Sequence, residues 1–487
     1  MTKADRSDID ALAADAYALQ NSGDIAGVIE AYRKLLSVAP ERPDDWYNLG
    51  YFQKRARQYE DALASYEAAL LHDIRGPEDV FLNRAVVYAD ALRRPEDASL
   101  ELEKAVAANP DYVPAWLNLG NLHEDRGARS EALQAYNKAL EIEPGNALAL
   151  ARVADVSEIE CADAPIVGRL KAALASRGLT EMDKADIGFA LGRLLDSAGE
   201  FDGAFAAYSD ANTASQNAGG QRYSRQATED MMREIAEVFS EAVPVQATEA
   251  PSPIFICGMF RSGSSLLERI FAAHSKVTAG GELEIVPALV AQQLNPYPRS
   301  LLNADDRIYE KLKDHYCDEL QRMGLQPAFT TDKRPDNFLH IGLIKRIFPN
   351  SKIIHSVRNP LDNCLSVFFA HLDPRMTYAQ SLESAAHWHF EYERLMAHWK
   401  RLYPNDIHDV FYDELVVDPK PEIKGMLNFC GLEWEDACLS PHSVTGVVRT
   451  ASSWQVRKPL YQKSSGRYRN YRCHIRDLVR LLGETKP

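Results

Sequence analysis

The 487-residue sequence contains few cysteines, no long apolar run and no cluster of basic residues. Its seven cysteines are scattered without close metal-ligand pairs, which favours reduced thiols in a cytoplasm over a disulfide or zinc framework. No window approaches about eighteen uncharged apolar residues and the first residues are polar, so we expect neither a membrane span nor a secretory signal. Without basic runs interleaved with aromatic residues, a nucleic-acid surface is not expected either. These absences together predict a cytoplasmic protein.

Charge is distributed unevenly along the chain. Residues 1–250 hold 25 Lys and Arg against 43 Asp and Glu, a net charge of −18, whereas residues 251–487 hold 30 against 27, a net charge of +3. A hydrophobic content of 46% over this length supplies at least two cores. The acidic surplus therefore belongs to the first half, and the mildly basic second half suits a polyanionic ligand.

A pattern of about 34 residues repeats four or five times in the first half of the chain. The clearest copy contains Trp116, Gly120, Ala132, Tyr136 and Pro144. Small residues at set offsets allow two helices to approach closely, aromatic residues fill the gaps between turns, and proline ends the second helix. The pattern weakens between about 150 and 180 and returns in a last copy. That copy contains Leu191, Gly192, Ala204, Tyr208 and Ala211.

These spacings resemble tetratricopeptide repeats, which implies an all-α superhelix with a concave groove for a peptide or protein partner. A packing or dimerisation scaffold is the alternative. Residues 243–253 contain three prolines among small polar residues and are interpreted as a linker. The predicted domains are a repeat array at 1–218, a connecting helix and linker at 219–252, and a catalytic domain at 253–487.

The catalytic domain opens with the pattern of a phosphate-binding loop. An apolar strand at 253–257 is followed by Gly258-Met-Phe-Arg-Ser-Gly-Ser-Ser265 and then by a helical pattern. Backbone N–H groups in such a turn point at an anion. The spacing is that of a nucleotide-binding P-loop, but Ser264 replaces the lysine that holds the outer phosphates. Arg261 supplies positive charge instead, which argues against an ordinary kinase or ATPase.

A second motif comprises residues 351–360, SKIIHSVRNP. Its apolar strand delivers Arg358 to the carboxyl edge of the sheet, where ligands bind in open α/β folds. Ser366 lies about two helical turns into the next helix. Both side chains can reach one further phosphate, and the planar fork of arginine suits a terminal phosphate.

Three blocks, RSGSSLL, VRNP with its downstream serine, and TASSWQVRKPLYQKSSGRY, resemble the cofactor-binding blocks of sulfotransferases. The nearest resemblance is to protein-tyrosine sulfotransferases and to bacterial proteins that fuse tetratricopeptide repeats to such a domain. It implies an α/β P-loop-type parallel-sheet domain behind the helical array, with 3′-phosphoadenylyl sulfate (PAPS) as donor and adenosine 3′,5′-bisphosphate (PAP) as product. It also implies no metal, since a sulfuryl group carries about one negative charge where a phosphoryl group carries about two.

The resemblance assigns the donor-binding residues in three groups. The 5′-phosphosulfate is assigned to the loop residues Arg261, Ser262, Gly263, Ser264 and Ser265. The 3′-phosphate is assigned to Arg358 and Ser366, and further cofactor contacts to Tyr412 and Arg467. Ser452 corresponds to a serine that contacts the sulfuryl oxygens.

The resemblance also assigns the chemistry of transfer. Glu282, in a Gly-Gly-Glu segment, corresponds to the catalytic base, since a phenol of pKa about 10 needs a proton acceptor when it attacks sulfur. Glu284 is its rival. Lys333 corresponds to a lysine that stabilises charge on the bridging oxygen, with neighbouring Arg334 as the alternative. Arg261 and Ser452 complete the expected catalytic set.

The sequence leaves the acceptor open. Glu284 stands where tyrosine sulfotransferases have a substrate-contacting arginine, and the acidic first half would repel an acidic peptide. A protein tyrosine, a carbohydrate, a lipid or a small-molecule hydroxyl all remain candidates. Two other functions compete, a small-molecule kinase with a modified P-loop and a non-catalytic repeat adaptor with a vestigial nucleotide-binding domain. Neither the ligand of the repeat groove nor the oligomeric state is predicted.

Overall fold

The computed structural model describes residues 3–21, 23–159, 161–243, 252–302, 304–444, 454, 456–457, 459–460 and 464–483. The chain forms two compact units, one made of residues 1–123 and 128–149 and the other of 124–127 and 150–487. The helices after residue 150 thus belong to the same compact unit as the sheet. The expected domain limits at 218 and 252 rest on repeat and linker composition and stay a prediction.

Thirteen described α-helices and one short π-helix, Val87–Ala91, precede the first strand. The α-helices are α1 (Lys3–Leu19), α2 (Ile25–Val38), α3 (Pro43–Arg55), α4 (Tyr59–Leu71), α5 (Pro77–Val86), α6 (Pro95–Ala108), α7 (Val113–Arg126), α8 (Arg129–Ile142), α9 (Ala147–Val156), α10 (Pro165–Leu174), α11 (Glu181–Ser197), α12 (Phe201–Gly219) and α13 (Arg225–Val238). Within the described ranges, no helix combines the length and apolar composition needed to cross a membrane.

The helix pairs pack as the repeat pattern predicts. A Cβ atom added at Gly120 would overlap the ring of Tyr136, so this position needs glycine for the two helices to approach. Equivalent pairs recur as Gly50 with Tyr66 and Gly192 with Tyr208, where the added Cβ would lie 2.8 and 2.7 Å from the ring. All three tyrosines are buried. The all-α, tetratricopeptide-like character of this region is therefore confirmed.

The second unit contains a five-stranded parallel sheet in the order β2-β3-β1-β4-β5. Its strands are β1 (Ile254–Gly258), β2 (Thr278–Ala279), β3 (Thr330–Lys333), β4 (Lys352–Val357) and β5 (Ile407–Phe411). Its helices are α14 (Ser264–Ala272), α15 (Ile285–Gln293), α16 (Asp306–Arg322), α17 (Ile341–Ile347), α18 (Pro360–Phe368), α19 (Leu382–Leu402), α20 (Tyr412–Leu415), α21 (Pro419–Phe429) and α22 (Arg476–Leu482).

Both faces of the three central strands β3, β1 and β4 are largely buried, as is typical of a parallel sheet. On β1, Phe255 and Cys257 belong to one apolar cluster while Ile254 and Ile256 belong to the other, because successive side chains point to opposite faces. Register is fixed by Ile256, which pairs with Lys333 of β3 and with Ile354 of β4. The central strand therefore ends between the carboxyl ends of β3 and β4.

Helices α11 and α12 pack directly against the sheet part of the second unit. The rings of Tyr208 and Phe369 stack with centroids 4.1 Å apart and an interplanar angle of 15°. The buried Asn212 amide donates to the Phe368 carbonyl at 2.7 Å. The last tetratricopeptide-like pair is therefore part of the same packed body as the sheet.

Candidate active site

The phosphate loop connects the central strand β1 to the N-terminus of α14. Arg261 has a φ of 67°, in the left-handed region that costs energy for a residue with a side chain. Gly263, with a φ of 107°, precedes the first helical residue, Ser264. A helix N-terminus at the end of a central parallel strand directs backbone N–H groups and a positive dipole toward an anion. The loop thus has the geometry of an anion cradle.

Arg358, directly after β4, contacts the same loop. Its Nη1 donates to the Arg261 carbonyl at 2.9 Å and its Nη2 to the Ser464 carbonyl at 2.5 Å. The guanidinium lies over the Tyr412 ring at 5.0 Å. Arg261 Nε in turn donates to Ser366 Oγ at 3.3 Å. Four predicted residues, Arg261, Arg358, Ser366 and Tyr412, thus form one cluster.

Two buried polar atoms of the loop and of Arg358 have no hydrogen-bond partner in the part of the chain that the structure describes. They are Ser262 Oγ and Arg358 Nε. A buried donor without a partner costs about 1–3 kcal/mol, so such atoms are expected to have a ligand in the working protein. Phosphate or sulfate oxygens accept hydrogen bonds from both types of donor. The donor set therefore fits a phosphorylated ligand.

Lys333, at the end of β3, is fully buried and its Nζ lies 2.5 Å from Glu282 Oε1. The Glu282 side chain keeps 34% of its surface exposed, so it faces solvent while its partner does not. Its segment lies against β3, because the Lys333 N–H donates to the Gly281 carbonyl at 3.0 Å. A Cβ at Gly280 would overlap the Thr331 carbonyl. Only glycine therefore brings Glu282 this close to Lys333.

Glu268, on α14, is a buried carboxylate that the sequence motifs did not single out. Its Oε1 accepts from the Gly281 N–H at 2.7 Å and from Thr331 Oγ1 at 3.1 Å. Burial raises the pKa of Glu268 above its ordinary value, while nearby Lys333 and both hydrogen bonds oppose the rise. A glutamate inside the apolar helix sequence LLERIF was the available signal. Glu268 links the helix of the phosphate loop to the segment carrying Glu282.

Glu284 and Arg334, the two alternatives to the expected catalytic pair, contact each other. Arg334 Nη1 bonds Glu284, and the same guanidinium holds Asp336 through two contacts of 3.0 Å each. The Glu284 side chain is 63% exposed. Desolvation lowers the pKa of Arg334, but hydrogen bonds and attraction from the two carboxylates outweigh it and give a net rise. The two candidate pairs thus form separate ion pairs, Lys333 with Glu282 and Arg334 with Glu284.

Asp332, next to Lys333 on β3, is a second buried carboxylate that the motifs did not single out. Burial raises its pKa to about 7, against the hydrogen bonds from Tyr316 at 2.8 Å and Asn337 at 3.2 Å. Successive residues on a strand face opposite sides, so Asp332 points away from the Lys333 side. Asp332 therefore packs on the opposite face of β3 and is not part of the Lys333–Glu282 ion pair.

Two predicted residues, Ser452 and Arg467, belong to the C-terminal block of the sequence. Ser452 lies outside the described residues. Arg467 pairs with Asp196 of α11, Nη2 to Oδ2 at 2.7 Å, and its guanidinium lies 5.1 Å over the Phe369 ring. Its backbone neighbours are nevertheless close to Arg358, because Asp362 of α18 accepts from the Gly466 and Tyr468 N–H groups at 2.5 and 2.8 Å. The segment 466–468 is thus held against α18, while the Arg467 side chain contacts α11.

Comparison with known proteins agrees with this architecture. Residues 253–436 match the sulfotransferase family, and residues 14–80 and 113–146 match tetratricopeptide repeats. The chain therefore carries tetratricopeptide repeats followed by a domain of the sulfotransferase family.

Individual relatives are distant. An uncharacterized protein of Aquifex aeolicus is 29% identical over 400 residues, which cover 79% of this chain and 52% of that protein, so the match spans about half the length of this relative. A putative protein-tyrosine sulfotransferase of Caenorhabditis briggsae is 24% identical over 48% of this chain and 86% of its own. Among solved structures, the sulfotransferase domain of the Synechococcus PCC 7002 olefin synthase is 20% identical, with a TM-score of 0.36 over 51% of this chain and all of that one.

Proposed function

We propose that this protein transfers a sulfuryl group from PAPS to an acceptor hydroxyl. The observation that carries the proposal is the cluster of Arg261, Arg358, Ser366 and Tyr412 at the carboxyl edge of the sheet. The Lys333–Glu282 pair lies at the same edge, where β3 ends. Two phosphate-binding groups side by side suit a nucleotide with separate 5′ and 3′ anions. The sulfotransferase family match over 253–436 supports the same reaction class.

The chain's own residues divide the work of an in-line displacement. Glu282 takes the proton of the acceptor hydroxyl as the acceptor oxygen attacks sulfur. The bond from sulfur to the bridging oxygen breaks, and PAP leaves with the electron pair. Lys333 and Arg261, with Ser452, stabilise the charge on the sulfuryl and bridging oxygens.

The first test is calorimetric titration of the full chain, with EDTA present, using PAP and then ATP. We expect metal-free binding of PAP that is much tighter than that of ATP. Magnesium-dependent ATP binding without PAP binding would replace the proposal with the small-molecule kinase. PAP binding without turnover of PAPS on any acceptor would favour the adaptor with a vestigial domain.

The base is tested by a matched pair of variants, Glu282→Gln and Glu284→Gln. Both remove one carboxylate charge from the same short segment, but only Glu282 pairs with Lys333. Glu282→Gln should lower kcat by about 100-fold or more and leave PAP affinity nearly unchanged. Glu284→Gln should retain most of kcat. The reverse pattern would move the base to Glu284.

The remaining assignments are proposals on narrower support. Arg467 is proposed as a cofactor contact because its neighbours Gly466 and Tyr468 donate to Asp362. Ser452 is proposed from the family pattern alone. The repeat region is proposed to hold a peptide or protein partner, as tetratricopeptide arrays do. The cytoplasm is the proposed compartment, from the scattered cysteines. A protein tyrosine is one proposed acceptor because the Caenorhabditis briggsae relative is named a putative protein-tyrosine sulfotransferase.

A further inference from the structure

A buried carboxylate of α18 holds residues 464–468, the stretch in which the third sulfotransferase-like block of the sequence ends. Asp362 lies in the first turn of α18 and is only 2% exposed. Its Oδ2 accepts from the Gly466 N–H at 2.5 Å and its Oδ1 accepts from the Tyr468 N–H at 2.8 Å. Each oxygen of the carboxylate thus has its own backbone donor in this stretch, which is called the 464–468 segment below.

Gly466 gives the 464–468 segment the shape that receives the carboxylate. Its φ of 73° lies in the left-handed region, which glycine adopts without the cost that other residues meet. Turns that contain a left-handed residue let nearby backbone N–H groups converge on one anion. The segment therefore forms a small anion-binding turn, and the anion in it is the side chain of Asp362.

An aspartate suits this position better than a neutral side chain of the same size. Burial raises the pKa of Asp362 above its ordinary value, while the two N–H bonds and the charge of Arg358 oppose the rise. An ionised carboxylate has two acceptor oxygens and no donor, whereas an amide would set its own NH₂ group against one of the two N–H groups. The pair of backbone donors therefore accounts for a carboxylate buried at this point.

The 464–468 segment also holds Arg358, the residue proposed to bind the 3′-phosphate. Arg358 Nη2 donates to the Ser464 carbonyl at 2.5 Å. Arg358 and Asp362 are four residues apart, where the chain passes from β4 into α18. The segment is therefore attached to this junction at both ends, by its first carbonyl to Arg358 and by its last N–H group to Asp362. A shift of the segment would remove one of the contacts that set the direction of the guanidinium.

A second carboxylate, Asp413 of α20, joins the same segment to the same junction. Its Oδ1 accepts from Ser465 Oγ and its Oδ2 accepts from the Asn359 N–H at 2.9 Å. Asn359 directly follows Arg358, and its side chain accepts from the first N–H groups of α18. The junction between β4 and α18 thus holds the 464–468 segment directly through Asp362 and indirectly through Asp413.

We propose that Asp362 is a positioning residue for nucleotide selectivity: by holding the 464–468 segment it fixes the direction of Arg358 and so favours nucleotides that carry a 3′-phosphate. The inference rests on the proposed use of PAPS and adds to it a residue that controls selectivity at the donor site. Asp362 does not contact the phosphate, because two anions repel each other. Its effect passes through the segment and Arg358.

The test is calorimetric titration of PAP and adenosine 5′-phosphate into the full chain and into Asp362→Asn. The amide keeps one acceptor oxygen and loses the other, so the segment should loosen. PAP affinity should fall about tenfold, as expected when one charged hydrogen bond is lost, and adenosine 5′-phosphate affinity should fall about twofold or less. Both nucleotides bind the same folded fraction, so the ratio of the two affinities does not depend on the stability of the variant.

Asp306→Asn is the matched control. Asp306 is likewise an acidic residue in the first turn of a helix, α16, but it is exposed. Its replacement should leave the ratio of PAP affinity to adenosine 5′-phosphate affinity unchanged. Gly466→Ala is a second variant that leaves Asp362 in place and opposes the left-handed turn. It should lower the same ratio, and it keeps the test open if Asp362→Asn fails to fold.

The route through Arg358 is tested by the double variant Arg358→Ala with Asp362→Asn. Two residues that act as a unit give non-additive losses, so Asp362→Asn should cause little further loss of PAP affinity once Arg358 is alanine. Additive losses, or an affinity ratio unchanged in both Asp362→Asn and Gly466→Ala, would overturn the positioning role while tight PAP binding by the wild-type protein kept the proposed function. A wild-type protein that bound PAP no better than adenosine 5′-phosphate would overturn both proposals.

Discussion

Replacing Arg358 by alanine should weaken the binding of PAP far more than that of adenosine 5′-phosphate. Two of the three guanidinium nitrogens already donate to the carbonyls of Arg261 and Ser464, and the buried Nε is the one without a partner in the described chain. We therefore expect the 3′-phosphate to gain one charged hydrogen bond from this residue. Such a bond contributes about 1.5–3 kcal/mol, which corresponds to roughly 10- to 150-fold in affinity.

The measurement is calorimetric titration of both nucleotides into the wild-type protein and the variant. Loss of the two carbonyl contacts should disturb the loop and weaken the binding of both nucleotides equally. The ratio of the two affinity losses therefore reports the contact of Arg358 with the 3′-phosphate. Arg358→Lys is the control, because it keeps the charge but cannot reproduce the fork. It should lose less PAP affinity than the alanine variant. Equal losses of PAP and adenosine 5′-phosphate in the alanine variant would remove Arg358 from the 3′-phosphate site.

Three further predictions concern the supporting structure. Gly120→Ala should lower the melting temperature, with an overpacking cost of about 1–3 kcal/mol, because the new methyl group overlaps the ring of Tyr136; an unchanged melting temperature would contradict the close approach. Glu268→Ala should lower kcat about tenfold by releasing the Gly281 N–H, with PAP affinity preserved, whereas Glu268→Gln keeps an acceptor there and should retain most activity; equal kcat values would exclude this positioning role. The melting temperature of Asp332→Asn minus that of the wild-type protein should increase as the pH is raised from 5 to 8. The folded pKa of Asp332, about 7, lies above the unfolded value of about 3.9, so ionisation of Asp332 destabilises the wild-type protein as pH rises and cannot affect the variant. A constant difference across this range would refute the raised pKa.

The sequence predicted the elements whose signal is local. The spacing of glycine and tyrosine identified the helix pairs, because each pair closes within about twenty residues of chain. The apolar strands before the 258–265 loop and before Arg358 predicted the two segments that meet in the cluster of Arg261 and Arg358. Parallel strands bring their carboxyl ends to one edge, so the meeting of Arg261, Arg358 and Ser366 followed from topology.

What the sequence could not supply depends on packing between distant segments. Glu268 is one acidic residue in a helix, and only the fold shows that it lies buried against Gly281 and Thr331. The separate pairing of Glu284 with Arg334 is likewise a matter of side-chain direction, which sequence spacing does not determine. Arg467 was assigned by motif position, yet its partner Asp196 lies 271 residues earlier in the chain. Long-range ion pairs of this kind leave no local pattern.

The stacking of Tyr208 on Phe369 has a consequence for how the protein can be divided. A chain started at residue 253 would retain every sulfotransferase-family block but would expose the Phe369 ring and leave the Arg467 guanidinium without Asp196. Helices α11 and α12 thus have two roles. They form a repeat through the contact of Gly192 with Tyr208, and they pack against the sheet part of the second unit through Tyr208 and Phe369. Exchange of one array for another between related proteins would have to keep this pair with the sheet, because a joint at the proline-rich segment would remove both contacts.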